Sequence, residues 1–286
     1  MRYLRSLRRR CRTALEARSA PKDADGWTVA YEPALVPPVQ LMRTEGIDVL
    51  EEWFRWAEEW SMLLRVYGRL RRDDAVLEIG CGLGRIAFPL RYLLSEGGTY
   101  DGFEIVAEKV EFLQRTFEVA HPNFRFRWAD IHNTFYNPTG RMPAAEYRFP
   151  YDDHRFDVVF AASVFTHLVP ESTAHYLAES ARVLRDGGRC VFSFLLLAHY
   201  RQGHPRPLGF DRDVFALDHQ YGGHGAEFAI AVPDNPEETS AYRLSLVERL
   251  ARDAGLRLAQ PPVPGLWSGT IEAPVGAQDV VVLERI

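Results

Sequence analysis

The run Glu78-Ile79-Gly80-Cys81-Gly82-Leu83-Gly84-Arg85 constrains the fold more than any other segment of this chain. Val76 and Leu77 lead an apolar strand into an acid, glycine then takes every second position, and an amphipathic stretch follows. Glycine has no Cβ, so this spacing permits a sharp strand-to-helix turn and lets a ligand lie against bare backbone. A strand, a ligand-bearing turn and a helix in that order open an alternating α/β fold.

The rest of the sequence repeats the alternation. Strands are predicted at Ala75–Ile79, Thr99–Ile105, Phe124–Trp128, Phe156–Ala161 and Cys190–Leu197. Between them, Ile86, Leu90, Leu93 and Leu94, then Val106, Val110, Leu113 and Phe117, recur at helical spacing. A further helix starts at Pro170, runs through Leu177, Ala181 and Leu184, and stops at Asp186-Gly187-Gly188. Leu256–Ala259 and Asp279–Leu283 complete seven strands after a helix containing Leu244, Val247 and Leu250. Such alternation predicts a doubly wound, Rossmann-like parallel sheet with helices on both faces and a ligand at the strands' carboxyl ends.

Three segments flank this core. Residues 1–46 form a basic arm, with seven arginines in Met1–Ala20, and a Pro-containing link. The arm reads as a solvated terminus or as a basic helix touching an acidic surface. Residues 47–72 form an amphipathic helix whose tryptophans pack on the core or stack on a ligand. The main domain, 73–286, carries an aperiodic insertion at about 198–240, expected to be a lid or substrate-binding element.

No apolar run approaches the roughly 18 residues of a membrane span. The net charge of −5 gives no electrostatic reason to bind nucleic acid. Cys11, Cys81 and Cys190 lack metal or redox spacing, which points to a reducing, cytoplasmic setting. Lysine occurs only at Lys22 and Lys109 among 34 basic residues, consistent with a GC-rich, bacterial coding sequence.

Three acids take equivalent places at the ends of successive strands: Glu78, Glu104 and Asp130. Glu104 follows Gly84 by 20 residues, the spacing at which a carboxylate can accept bonds from ribose hydroxyls. A dinucleotide fingerprint counted from Gly82 reaches Ala87, but leaves Glu78 and Gly80 unexplained.

The E-x-G-x-G-x-G run, the acids, Phe156–Leu168 and the Arg182-Val183-Leu184-Arg185-Asp186-Gly187-Gly188 stop resemble the class I S-adenosylmethionine (SAM)-dependent methyltransferases of small-molecule type. The resemblance covers about Asp73 to Ile286 and implies a seven-stranded sheet with an antiparallel last strand. It implies SAM as cofactor, held by Glu78, Gly80, Cys81, Gly82 and Gly84 at the glycine turn. By the same resemblance Glu104 and Ile105 take the ribose edge, Asp130 and Ile131 the adenine, and Ala162, Ser163 and Val164 pass beside the reactive methyl.

The acceptor is then expected to be a small molecule, methylated most readily on oxygen, such as a sugar or secondary metabolite, with an amine as the alternative. His167 is the expected base, because an imidazole near pKa 6.5 can take a hydroxyl proton at neutral pH; its other reading is to buttress the helix that starts at Pro170. No metal is expected: His199 and His204, like His219 and His224, are five residues apart and lack Cys or H-E-x-x-H partners. Some of these histidines, or Tyr200, Tyr221 or Tyr242, are expected to touch the acceptor. Arg43 has two readings, a cofactor-carboxylate ligand or a surface residue. An NAD(P)-dependent oxidoreductase and a non-catalytic SAM-fold interaction protein remain the competing classes.

Overall fold

The computed structural model describes residues 32–207, 210 and 215–286. The basic arm Met1–Ala20 and Lys22 lie outside them. Residues 32–36, part of one unit, form a 3-10 turn at Pro33–Leu35. Everything that follows concerns the second unit, Pro37–Ile286.

Seven strands form its central sheet: β1 (Ala75–Ile79), β2 (Thr99–Glu104), β3 (Phe124–Trp128), β4 (Phe156–Ala161), β5 (Leu184–Phe194), β6 (Leu256–Leu258) and β7 (Asp279–Arg285). Their order is β6-β7-β5-β4-β1-β2-β3. The pairs from β5 through β3 are parallel, and β7 runs antiparallel to both β5 and β6. The chain therefore has the expected Rossmann-like sheet with an antiparallel last strand. Burial on both faces explains the almost continuous apolar sequences of β1 and β4.

Register brings the important carboxyl ends together. Glu78 on β1 lies opposite Gly102 on β2 and Phe160 on β4. The order reverses between β1 and β4, so the loops after these strands diverge and leave a crevice. Helix α1 (Leu50–Val66) covers this region from the N-terminal side, burying Trp53, Ala57, Trp60, Leu63 and Leu64. Trp53 meets Phe88 of α2 (Ala87–Leu93) edge-on at 5.2 Å, and Trp60 lies 5.9 Å from Phe160. Helices α3 (Ala107–Ala120), α4 (Pro170–Val183) and α5 (Leu244–Asp253) complete the alternation.

Two local differences from the sequence pattern have clear causes. Strand β5 starts at Leu184, not Cys190, because Asp186-Gly187-Gly188 forms a bulge within the strand instead of ending a helix. The pairing with β4 shifts from Phe156–Leu184 to Val158–Arg189 across it. The Ala198–Ser240 segment also contains regular structure: His219–Gln220, Phe228–Ile230 and Ser240–Tyr242 form a small antiparallel sheet. These strands are too short to carry a readable alternation. Among the described residues, no helix is long and apolar enough to cross a membrane.

Candidate active site

A cavity of about 620 Å³ opens at the carboxyl ends of β1, β2 and β4, within the roughly 300–1,000 Å³ typical of small-molecule sites. Its walls include Glu78, Gly80, Cys81, Gly82, Glu104, Ile105, Ile131, Ala162, Ser163, Val164 and His167. Eleven sequence-selected positions, scattered over about ninety residues of chain, thus meet at one site.

The glycine turn is held from below by carboxylates. Glu104 Oε2 accepts the Gly82 N–H at 3.0 Å, while its Oε1 accepts the Ile105 and Val106 N–H groups at 2.8 and 2.9 Å. This fixes the carboxylate at the end of β2 and orders the start of α3. Glu78 is 2% exposed and accepts the Tyr100 hydroxyl. Burial pushes its carboxyl well above the usual range, and the Tyr100 bond and the Arg85 charge partly oppose that. Burial and the Glu78 charge likewise raise the Cys81 thiol, which makes it unreactive at neutral pH.

Two of the expected ligands have other roles visible in the fold and are not among the residues lining the cavity. Gly84 does not line the cavity; a Cβ there would approach Leu113 Cδ2 at 2.5 Å, so this glycine lets α3 pack against the turn. Asp130 is engaged by the Arg141 guanidinium and is likewise absent from the wall, where Ile131, His132 and Asn133 stand instead. Arg43 is 62% exposed and pairs with Asp48 at 3.2 Å, so it lies on the surface.

His167 closes a 3-10 turn, Phe165–His167, after β4. Its Nδ1 lies 3.0 Å from the Glu237 carbonyl oxygen and its Nε2 3.5 Å from the Tyr136 hydroxyl. Burial lowers its pKa below the usual histidine value, partly offset by the Glu237 carbonyl. Nδ1 therefore carries the proton and donates to Glu237, and Nε2 is the accepting nitrogen, facing the Tyr136 hydroxyl. Next to it, Ser163 adopts φ +57°. Its N–H donates to Ser193 Oγ at 2.7 Å and its hydroxyl to Gln278 Oε1 at 3.0 Å, linking β4, β5 and the approach to β7.

Several wall residues carried no readable signal in sequence: Glu45, Glu59, Arg85, Lys109, Tyr136 and Gln278. Arg85 Nε is buried without a hydrogen-bond partner. The only available hint was at Lys109, one of just two lysines.

The insertion meets the cavity differently from expectation. Phe210 and Phe215 line it, joined by Trp56 and Trp60 of α1, whereas none of the four insertion histidines nor Tyr200, Tyr221 or Tyr242 does. His199 donates to Asp279, His204 lies beside the Gly269 carbonyl, and His224 is near Glu171. Tyr242 is buried and donates to the Leu168 carbonyl. Among the described residues no cluster of three His, Cys, Asp or Glu is placed to hold a metal.

Comparison with known proteins agrees with this geometry. Residues 76–188 match the family model described as "Methyltransferase domain". Over 203 residues, 66% of this chain, the sequence is 30% identical to 27-O-demethylrifamycin SV methyltransferase of Amycolatopsis mediterranei. The aligned part spans 65% of that relative. The fold aligns with a SAM-dependent methyltransferase from Aquifex aeolicus at TM-score 0.52 and 16% identity, covering 87% of this chain and all 100% of that one. It also aligns with the CcbJ methyltransferase of Streptomyces caelestis at TM-score 0.51 and 17% identity, covering 80% and 89%. At these identities the structural likeness shows a shared fold.

Proposed function

We propose that this chain is a class I SAM-dependent methyltransferase and that it transfers the SAM methyl group to an oxygen of a small molecule. The observation that carries the choice of oxygen is the His167 imidazole. Its Nδ1 proton is committed to the Glu237 carbonyl, its Nε2 lies 3.5 Å from the Tyr136 hydroxyl, and both His167 and Tyr136 line the cavity.

The donor set fits the cofactor. Carboxylates at Glu78 and Glu104 suit an ammonium group and ribose hydroxyls, the unpartnered Arg85 Nε suits a carboxylate, and Ile105 and Ile131 offer apolar contact to a flat ring. SAM supplies a sulfonium-bound methyl that is already a good electrophile. The protein's work is then alignment of a nucleophile and removal of its proton. Ser163, held by Ser193 and Gln278, sets the wall beside the acceptor. His167 Nε2 accepts the hydroxyl proton, and the resulting imidazolium is steadied through Nδ1 by the Glu237 carbonyl. Phe210, Phe215, Trp56 and Trp60 enclose the acceptor side with apolar surface and keep water out. The O-methylation reading also draws support from the Amycolatopsis relative, a 27-O-demethylrifamycin SV methyltransferase.

The test is a screen with SAM carrying a labelled methyl group against matched hydroxyl-bearing and amine-bearing small molecules, among them sugars and phenols. Label transfer to hydroxyls, lost in His167→Gln, supports the reading. Transfer to amines alone replaces oxygen by nitrogen as the target. Calorimetry with SAM and NADH accompanies the screen, and binding of NADH alone would overturn the cofactor assignment.

A further inference from the structure

The segment Val39–Asp48, ahead of α1, ends against the glycine turn, and Glu45 is the side chain that joins them. Glu45 Oε1 accepts the Leu83 N–H at 2.9 Å and pairs with the Lys109 ammonium at 3.2 Å. It lies so close to Gly82 that any Cβ at that position would collide with it. The two charged side chains are only 14% and 7% exposed, yet both line the cavity. Gly46, Ile47 and Asp48 continue the same wall.

We propose that Glu45 and Lys109 form a latch that closes the N-terminal segment over the SAM site and so governs how long the cofactor stays bound; this rests on the SAM reading above. The latch fastens to the turn that approaches the ligand, because Leu83 is the residue between Gly82 and Gly84. Opening residues 45–48 away from the cavity requires breaking the Leu83–Glu45–Lys109 chain. Each broken partner then leaves a charge without its counter-ion in a low-dielectric site. Lys109 also ties the latch to the rest of the cavity. Its ammonium lies 5.8 Å from the Tyr136 ring centroid, and Tyr136 reaches His167. Burial alone would lower the Lys109 pKa, but Glu45 and Glu104 outweigh it and hold the ammonium charged above the usual lysine value. A compact ammonium fits among these groups where the planar fork of arginine, this chain's usual base, needs more room.

The test measures binding and release of SAM and S-adenosylhomocysteine by stopped flow and calorimetry on the full chain. The variants are Glu45→Ala, Glu45→Gln and Lys109→Met, with Arg43→Ala as the exposed control on the same segment. Release is expected to quicken about tenfold in the three latch variants, with a matching rise in KM for SAM. The Glu45→Ala/Lys109→Met double variant should release no faster than the worse single, because one interaction is being removed twice. Glu45→Gln keeps the shape and an acceptor for Leu83, so it stays informative if the alanine variant misfolds. Unchanged release in folded variants overturns the latch, as does tighter binding, which would make Glu45 an obstruction. If wild type binds NADH and no SAM, the cofactor reading itself fails and the latch fails with it.

Discussion

The Nδ1 atom of His167 sits 3.0 Å from the carbonyl oxygen of Glu237, a residue 70 positions later in the chain. One hydrogen bond therefore connects the loop after β4 to the insertion that follows β5, and it fixes the imidazole tautomer. The same stretch of insertion is tied to the loop after β3, where the Thr134 N–H and hydroxyl meet Glu237 Oε2 at 2.6 and 2.8 Å. The base, the insertion and the Tyr136 loop are thus one connected assembly.

Replacing His167 should stop turnover without releasing the cofactor. His167→Gln is expected to lose roughly 10²–10⁴-fold in kcat, the usual value of a positioned base, with SAM affinity retained in calorimetry. Because burial lowers the imidazole pKa, the neutral form already dominates at pH 7. The acid limb of the kcat/KM profile should therefore fall below pH 6.5, and its loss in His167→Gln identifies the titrating group. The same sign holds for stability: the folded state disfavours the charged ring, so the contribution of His167 is present above about pH 6.5 and is lost as pH falls through its lowered pKa. An acid limb above pH 6.5 would exclude His167 as its source.

Gly82 and Gly84, separated only by Leu83, should fail in different ways. Gly82→Ala, at φ +52°, has to displace the Glu45 carboxylate, so weaker SAM binding with a modest change in melting temperature is expected. Gly84→Ala, at φ +75°, pushes a methyl to 2.5 Å from Leu113 Cδ2 and 3.3 Å from Phe117 Cε2, both fully buried. Strain and overpacking together should cost about 2–4 kcal/mol in denaturant unfolding. Equal melting temperatures for the two variants would contradict this division.

Glu104→Gln tests whether the carboxylate works for the ligand or for the fold. The amide oxygen can still accept the Ile105 and Val106 N–H groups, but the amide nitrogen would then present N–H where the Gly82 N–H needs an acceptor. We expect SAM affinity to fall at least tenfold and stability to drop by about 1–3 kcal/mol, since one buried donor loses its partner. Binding of SAM at wild-type strength would remove Glu104 from the ligand set.

The fold and part of the site could be read from the chain because they depend on local period and on residues with unusual geometry. Strands β1 and β4 follow from apolar runs beside the glycine turn, β3 from the alternation of Phe124, Phe126 and Trp128, and His167 from its place just after β4. Three kinds of feature were not legible. Glu45 and Lys109 meet across 64 residues through a contact that no periodicity encodes. Gly84 and Asp130 match a motif by position, but the close approach of Leu113 to Gly84 and the pairing of Asp130 with Arg141 are tertiary contacts that no spacing encodes. The insertion's histidines look chemical in sequence, yet His199 bonds to Asp279, and it is Phe210 and Phe215 that line the cavity.

Asp279 should be the most sensitive structural carboxylate outside the cavity. It is fully buried and accepts four bonds: from the Leu196 N–H, the Gly265 N–H, Trp267 Nε1 and His199 Nδ1, at 2.7–2.8 Å. These join the end of β5, the start of the insertion and the turn before β7. Asp279→Ala leaves several buried donors without an acceptor, so a loss of about 3–5 kcal/mol is expected, measured by urea unfolding. The bond to Asp279 raises the His199 pKa above its ordinary value, against the effect of burial. Protonated His199 therefore contributes stability that is fully present below about pH 6.5 and is lost as pH rises through its raised pKa. His199→Asn should flatten that part of the pH–stability curve, which in the wild type slopes downward with rising pH. A curve unchanged by the substitution would show that His199 and Asp279 are not thermodynamically linked.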